Sequence, residues 1–157
     1  MAKWNPEAQH TSLKYNAYIY LLQGLFFSAL LGNSLAENYA LDLGWLVDGV
    51  VITLVAVFIY FTARLARNNH RCSGGWREML GLYDDEYMRD VVRTANSCAL
   101  LALLVTIFMG LLLGGADKLG FEQNWLSLGR FTMLQIAIGS ITWAMTILVS
   151  LRDGAEE

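Results

Sequence analysis

Four apolar blocks constrain this chain more than any other feature. Residues 17–35, 46–65, 97–115 and 131–151 contain no Pro, and their only charges are Asp48 and Arg64, near the two ends of the second block. The hydrocarbon core of a bilayer is about 30 Å thick and a helix rises about 1.5 Å per residue, so about 20 apolar residues cross it. Within lipid each backbone N–H and C=O must be bonded inside its own segment, which makes such a block a helix. Helices of a soluble bundle carry a polar stripe, and these blocks have almost none. The expected fold is all-α: an integral membrane four-helix bundle forming one domain over residues 1–157, with the lipid bilayer as its first partner.

The connections order the bundle. Residues 36–45 form a short acidic link, and 116–130 a second one with Trp125 as an interfacial anchor. Links this short join antiparallel neighbours, so two antiparallel hairpins are predicted. The substantial polar connector is 66–93. Lys3, Lys14, Arg64, Arg67, Arg71, Arg77, Arg89, Arg93 and Arg152 fall on the side of the termini and this connector, with only Lys118 and Arg130 opposite. By the positive-inside rule both termini are expected in the cytoplasm. Residues 1–16 read as a polar, frayed lead. The apolar run after them is too long for a signal-peptide core and is expected to stay in the protein.

The third helix starts before its membrane block. Trp76, Leu80, Tyr83, Tyr87 and Val91 recur at helical spacing, with charged residues opposite. Asp84, Asp85 and Glu86 form a start signal, an N-cap followed by acids in the first turn. Arg89 follows Asp85 by four positions and Arg93 follows Asp90 by three, which suits intrahelical pairing. A helix over about 84–113 is predicted, about 45 Å long, with its first turns extending into the cytoplasm. Its aromatic edge has two readings. It packs on neighbouring elements or the membrane surface, or it binds a cytosolic protein partner or second subunit through Trp76, Tyr83 and Tyr87. In the second reading Asp84, Asp85, Glu86, Arg89 and Asp90 set specificity.

Small residues repeat every four positions on two spans: Gly24, Ser28 and Gly32 on the first, and Cys98, Ala102, Thr106, Gly110 and Gly114 on the third. Such stripes let membrane helices approach closely, within the chain or between copies in a homo-oligomer. Asp48 and Arg130 both fall at the outer interface and form a candidate ion pair.

Other classes are argued against. A net charge of −3 offers no basic face for nucleic acid. Cys72 and Cys98 have no metal-binding or redox spacing, and His10 and His70 stand apart. No ionisable residue occupies the middle third of any span, as ion-coupled transport usually requires. No nucleophile has a base near it in the pattern. No catalytic residue, metal or cofactor is expected, and the chain does not read as an enzyme. A pore lined by Gln135, Thr142 and Thr146 of the fourth span would need an oligomer.

The segment DDEYMRDVVRTANSCALLALLVTIFMGLLLG (residues 84–114) resembles the acidic-basic helix start before the third span in small bacterial four-span inner-membrane proteins of uncharacterised families. Their DER-type cluster reads Asp85-Glu86-Tyr87 here, with the first Arg at Arg89. The resemblance covers about a fifth of the chain. It implies a bacterial inner membrane and a role beside a cytosolic regulator or effector. The expected function is therefore a non-catalytic membrane sensor, regulatory or accessory subunit presenting its juxtamembrane helix to a partner or to copies of itself. The alternative is an oligomeric channel or transporter for a small solute.

Overall fold

The structure is a computed structural model and describes residues 6–38, 44–69, 83, 85–114 and 127–153. Four helices account for nearly all of them: α1 (Pro6–Asn38), α2 (Gly44–Asn69), α3 (Glu86–Gly114) and α4 (Leu128–Asp153). Each is long and apolar enough to cross a membrane, and each covers one predicted block, the third as far as Gly114. The protein is an all-α, membrane-spanning helical bundle.

The first helix corrects the reading of residues 1–16. It begins at Pro6, where a fixed φ and a missing N–H suit a first helical position. Gln9, Ser12 and Leu13 are buried. From Pro6 onward this lead is helical because Leu13 and Ala17 continue, at helical spacing, the side of α1 that faces α4. Overall polarity does not prevent a helix when one side has a surface to pack on.

The helices stand in a row, α2–α1–α4–α3. Among the described residues, adjacent pairs make extended contacts and no other pair does. The register of each pair is antiparallel. Phe61 of α2 packs on Tyr15 and Tyr18 of α1. Along α1 and α4, Tyr20 stacks on Trp143 at 4.5 Å, and Gly24 lies against Ala137 and Ile141. Between α3 and α4, Tyr87 bonds to Ser150, Asn96 to Trp143, Leu103 covers Gly139, and Phe131 covers Gly110. The two predicted hairpins are present, and α1 and α4 join them.

The seams follow the seven-residue repeat of packed helices rather than a four-residue one. Ala137, Ser140, Ala144, Ile147 and Leu151 are the buried side of α4. Leu13, Ala17, Tyr20, Gly24 and Ser34 trace the matching side of α1. At 3.6 residues per turn, a four-residue step drifts by about 40°. The predicted Gly24–Ser28–Gly32 stripe therefore leaves the seam after Gly24. Ser28 is exposed and Gly32 faces open space. Only Gly24 serves a close crossing: a Cβ there would lie 2.5 Å from Ile141 Cγ1 and 3.0 Å from the Ala137 carbonyl oxygen.

The tightest packing is at the end carrying both termini. Leu13, Ala17, Tyr83, Met88, Val91, Val92, Ala95, Ile147 and Leu151 form one buried cluster, with Trp143 and Leu148 against it. At the opposite end the Arg130 guanidinium donates to Ser34, through Nε to Oγ (2.8 Å) and through an Nη to the carbonyl oxygen (2.6 Å). This corrects the Asp48–Arg130 pair. Asp48 is on exposed α2, one helix beyond α1, and the sole ion pair between described residues is Arg152–Asp153.

Candidate functional site

Asp85 fixes where α3 begins. Its Oδ1 accepts from the Met88 amide (3.1 Å), and its carbonyl accepts from the Arg89 amide (3.1 Å). The start signal expected over Asp84, Asp85 and Glu86 resolves to Asp85 as the N-cap: one otherwise unbonded helix donor gains a partner, and the carboxylate sits at the positive end of the helix dipole. One side of the first turns is then locked down by burial of Met88, Val91, Val92 and Ala95.

This arrangement decides between the two readings of the aromatic edge. Tyr83 is only 3% exposed and belongs to the buried cluster, so it is a core residue and not a contact surface. Tyr87 is 46% exposed, but its hydroxyl donates to the Ser150 carbonyl oxygen at 2.7 Å and ties α3 to the last turns of α4. Val91 is buried. The described part of the edge, Tyr83, Tyr87 and Val91, packs on neighbouring helices because it lies on the same side as the apolar residues that follow it in α3. Trp76 and Asp84 lie outside the described residues, as do Trp125 and residues 70–82 of the 66–93 connector.

The opposite side of the same turns is polar and open. Glu86, Arg89, Asp90 and Arg93 are all exposed. Neither Asp85 with Arg89 nor Asp90 with Arg93 forms an ion pair within 4.0 Å, contrary to the expected intrahelical pairing. Exposed pairs gain little in water and cost side-chain freedom. The result is a charged face of both signs on a helix start that cannot easily shift.

A second feature lies deeper. Because α1 and α3 both pack on α4 and not extensively on each other, the side of α4 between them is left open. A cavity of about 690 Å³ results. Its polar lining includes Tyr20 and Asn16 from α1, Asn96 from α3, and Gln135, Ser140 and Trp143 from α4. Trp143 Nε1 donates to Asn96 Oδ1 at 2.7 Å. The Gln135 Nε2 atom is buried and has no hydrogen-bond partner. Gln135 was legible as a polar group on span four. The convergence of Tyr20, Asn96 and Trp143 was not, since they come from three helices whose adjacency no local pattern reveals.

Hydroxyls elsewhere in the spans satisfy themselves. Ser28, Thr53, Thr106 and Thr146 each donate to the carbonyl four residues earlier, at 2.6–2.8 Å. This is the usual way a hydroxyl is tolerated in an apolar helix. It occupies the donor of Thr146, one of the residues proposed to line a pore. On the third-span stripe, Ala102, Thr106 and Gly110 are half-buried, and Gly110 seats the Phe131 ring. Gly114 is the last residue of α3. Cys98 is a half-buried free thiol. Comparison with protein-family models, curated proteins and solved structures finds no match.

Proposed function

We propose that this protein is a non-catalytic membrane sensor, regulatory or accessory subunit that holds the charged side of the α3 start toward a cytosolic protein. One observation carries the reading. The first turns of α3 are capped by Asp85 and packed through Met88, Val91, Val92 and Ala95, while Glu86, Arg89, Asp90 and Arg93 face outward. A helix start fixed on one side presents its charges in a set pattern. A preset pattern lowers the ordering cost of binding, and complementary charge selects the partner and speeds encounter. The excess of Lys and Arg on the side of both termini supports placing this end in the cytoplasm. The partner-binding residues are then Glu86, Arg89, Asp90 and Arg93, with Tyr83 and Tyr87 acting as supports from beneath.

The test is a photo-crosslinking residue at Asp90 of the full-length protein in its native membrane. The expected result is an adduct with a different protein that disappears in the Arg89→Glu/Arg93→Glu double variant. Melting temperature should be nearly unchanged, because both arginines are exposed. No adduct, an adduct only with another copy, or an adduct indifferent to charge reversal would refute the proposal.

A further inference from the structure

The cavity between α1, α3 and α4 has the dimensions and chemistry of a ligand site. Its volume, about 690 Å³, falls within the range of about 300–1,000 Å³ usual for small-molecule pockets. From Val92 to Ile107 it follows α3 for about 22 Å, long enough for an alkyl or isoprenoid tail. It exists because small residues face it: Ala99 on α3, and Gly139 and Ser140 on α4.

Among the described residues no Asp, Glu, Lys or Arg lines it, so a charged ligand would have none of them to offset its desolvation. Gln135 makes the site more than an apolar groove. It lies about 6 Å along α4 from Phe131, where the apolar block begins. Its Nε2 is buried there without a partner. A buried donor left unbonded destabilises a protein by about 1–3 kcal/mol. The Gln135 side chain lines the open-sided cavity, and a small rotation of its amide would turn Nε2 toward an acceptor on an occupant and remove that cost. A second donor points to the same chemistry. The Asn96 oxygen is taken by Trp143 Nε1, leaving the Asn96 Nδ2 donor without a protein partner.

We infer that this cavity binds a neutral lipophilic molecule carrying a carbonyl group, which accepts a hydrogen bond from Gln135 Nε2 while an apolar tail lies along α3. Leu103, Ile107 and Ile136 supply the apolar wall, and the tilted Tyr20 and Trp143 rings, in contact with each other, supply an aromatic wall nearer the termini. The site stands independently of the charged face of α3. A ligand here would bridge α1 and α3 across α4 and so act on the same packing that fixes the α3 start.

The carbonyl could belong to a quinone ring or a lipid ester, and the experiment separates these sources. Melting temperature of the purified full-length protein in detergent is measured with decylubiquinone, with dioleoylglycerol, and with hexadecane, which has no acceptor. A saturable rise is expected with one of the two carbonyl probes beyond that with hexadecane, and the probe that works names the source. Gln135→Leu is expected to weaken that probe by about 3- to 10-fold, the worth of one neutral hydrogen bond. Ala99→Phe, which fills the cavity from α3, is expected to abolish binding. Without ligand, Gln135→Leu should be at least as stable as wild type, because an unbonded donor has been removed. The inference is overturned if neither carbonyl probe exceeds hexadecane, or if Gln135→Leu binds as well as wild type. It is equally overturned if Gln135→Leu is markedly less stable or fails to fold, because the amide would then be serving the bundle.

Discussion

Helices α2 and α4 are each 26 residues long and similarly apolar, yet they occupy opposite positions. The most apolar stretch of α2 contains no buried residue, and Val50, Ile52, Val55, Phe58 and Ile59 face outward. Helix α4 has neighbours on both sides and buries Ala137, Ser140, Ala144, Ile147 and Leu151. The difference lies in which residues are small. In a membrane the lipid tails are as apolar as Leu, so apolarity alone draws no helix inward. Close backbone approach does, and α4 offers Ala137, Gly139, Ser140 and Ala144 where α2 offers mostly branched side chains. The two inner helices of the row, α1 and α4, are the less apolar of the four.

The comparison breaks first at Ile147. It is fully buried, and Ile147→Ala is expected to cost about 2–3 kcal/mol, the lower part of the range for buried Ile. The loss is mainly packing, because the unfolded helix would remain in lipid. The matched change Ile52→Ala, at a residue 69% exposed on α2, should stay within about 0.5 kcal/mol. Unfolding in mixed SDS micelles followed by circular dichroism measures both. Equal losses would mean that α2 is as tightly packed as α4.

Next is the crossing of α1 and α4. Gly24→Ala is expected to cost about 1–2 kcal/mol, because its new methyl meets backbone atoms of α4 that cannot rotate away. Gly49→Ala on α2, with nothing within 4 Å of the added carbon, should be neutral or slightly stabilising in the same assay. If the two behave alike, the close approach at Gly24 is not what seats α4.

Two smaller effects sharpen how far the central packing extends into α3. Asp85→Ala removes the N-cap and should cost about 1 kcal/mol, read as faster hydrogen exchange in the first turn of α3. Tyr87→Phe deletes the bond to the Ser150 carbonyl while keeping the ring, for about 0.5–1 kcal/mol. A small drop in melting temperature checks it, and no change at all would mean that burial of Met88 and Val92 holds α3 without that bond.

The amino-acid sequence by itself determined the local structure: four membrane-length helices, two antiparallel hairpins and the N-cap at Asp85. Each follows from interactions within a few residues, the length of an apolar run or a carboxylate three residues before an amide. Tertiary structure decided what depends on which helices become neighbours. The 3.6-residue turn carried Ser28 and Gly32 off the seam that Gly24 began, and the row order put α2 too far out for Asp48 to meet Arg130. Burial of the aromatic edge at Tyr83 depended on α4 and α1 being there to receive it. The cavity beside Gln135 depended on α1 and α3 flanking one helix without closing over it. Spacing along one helix fixes which side a residue is on, but only packing between helices fixes what that side meets.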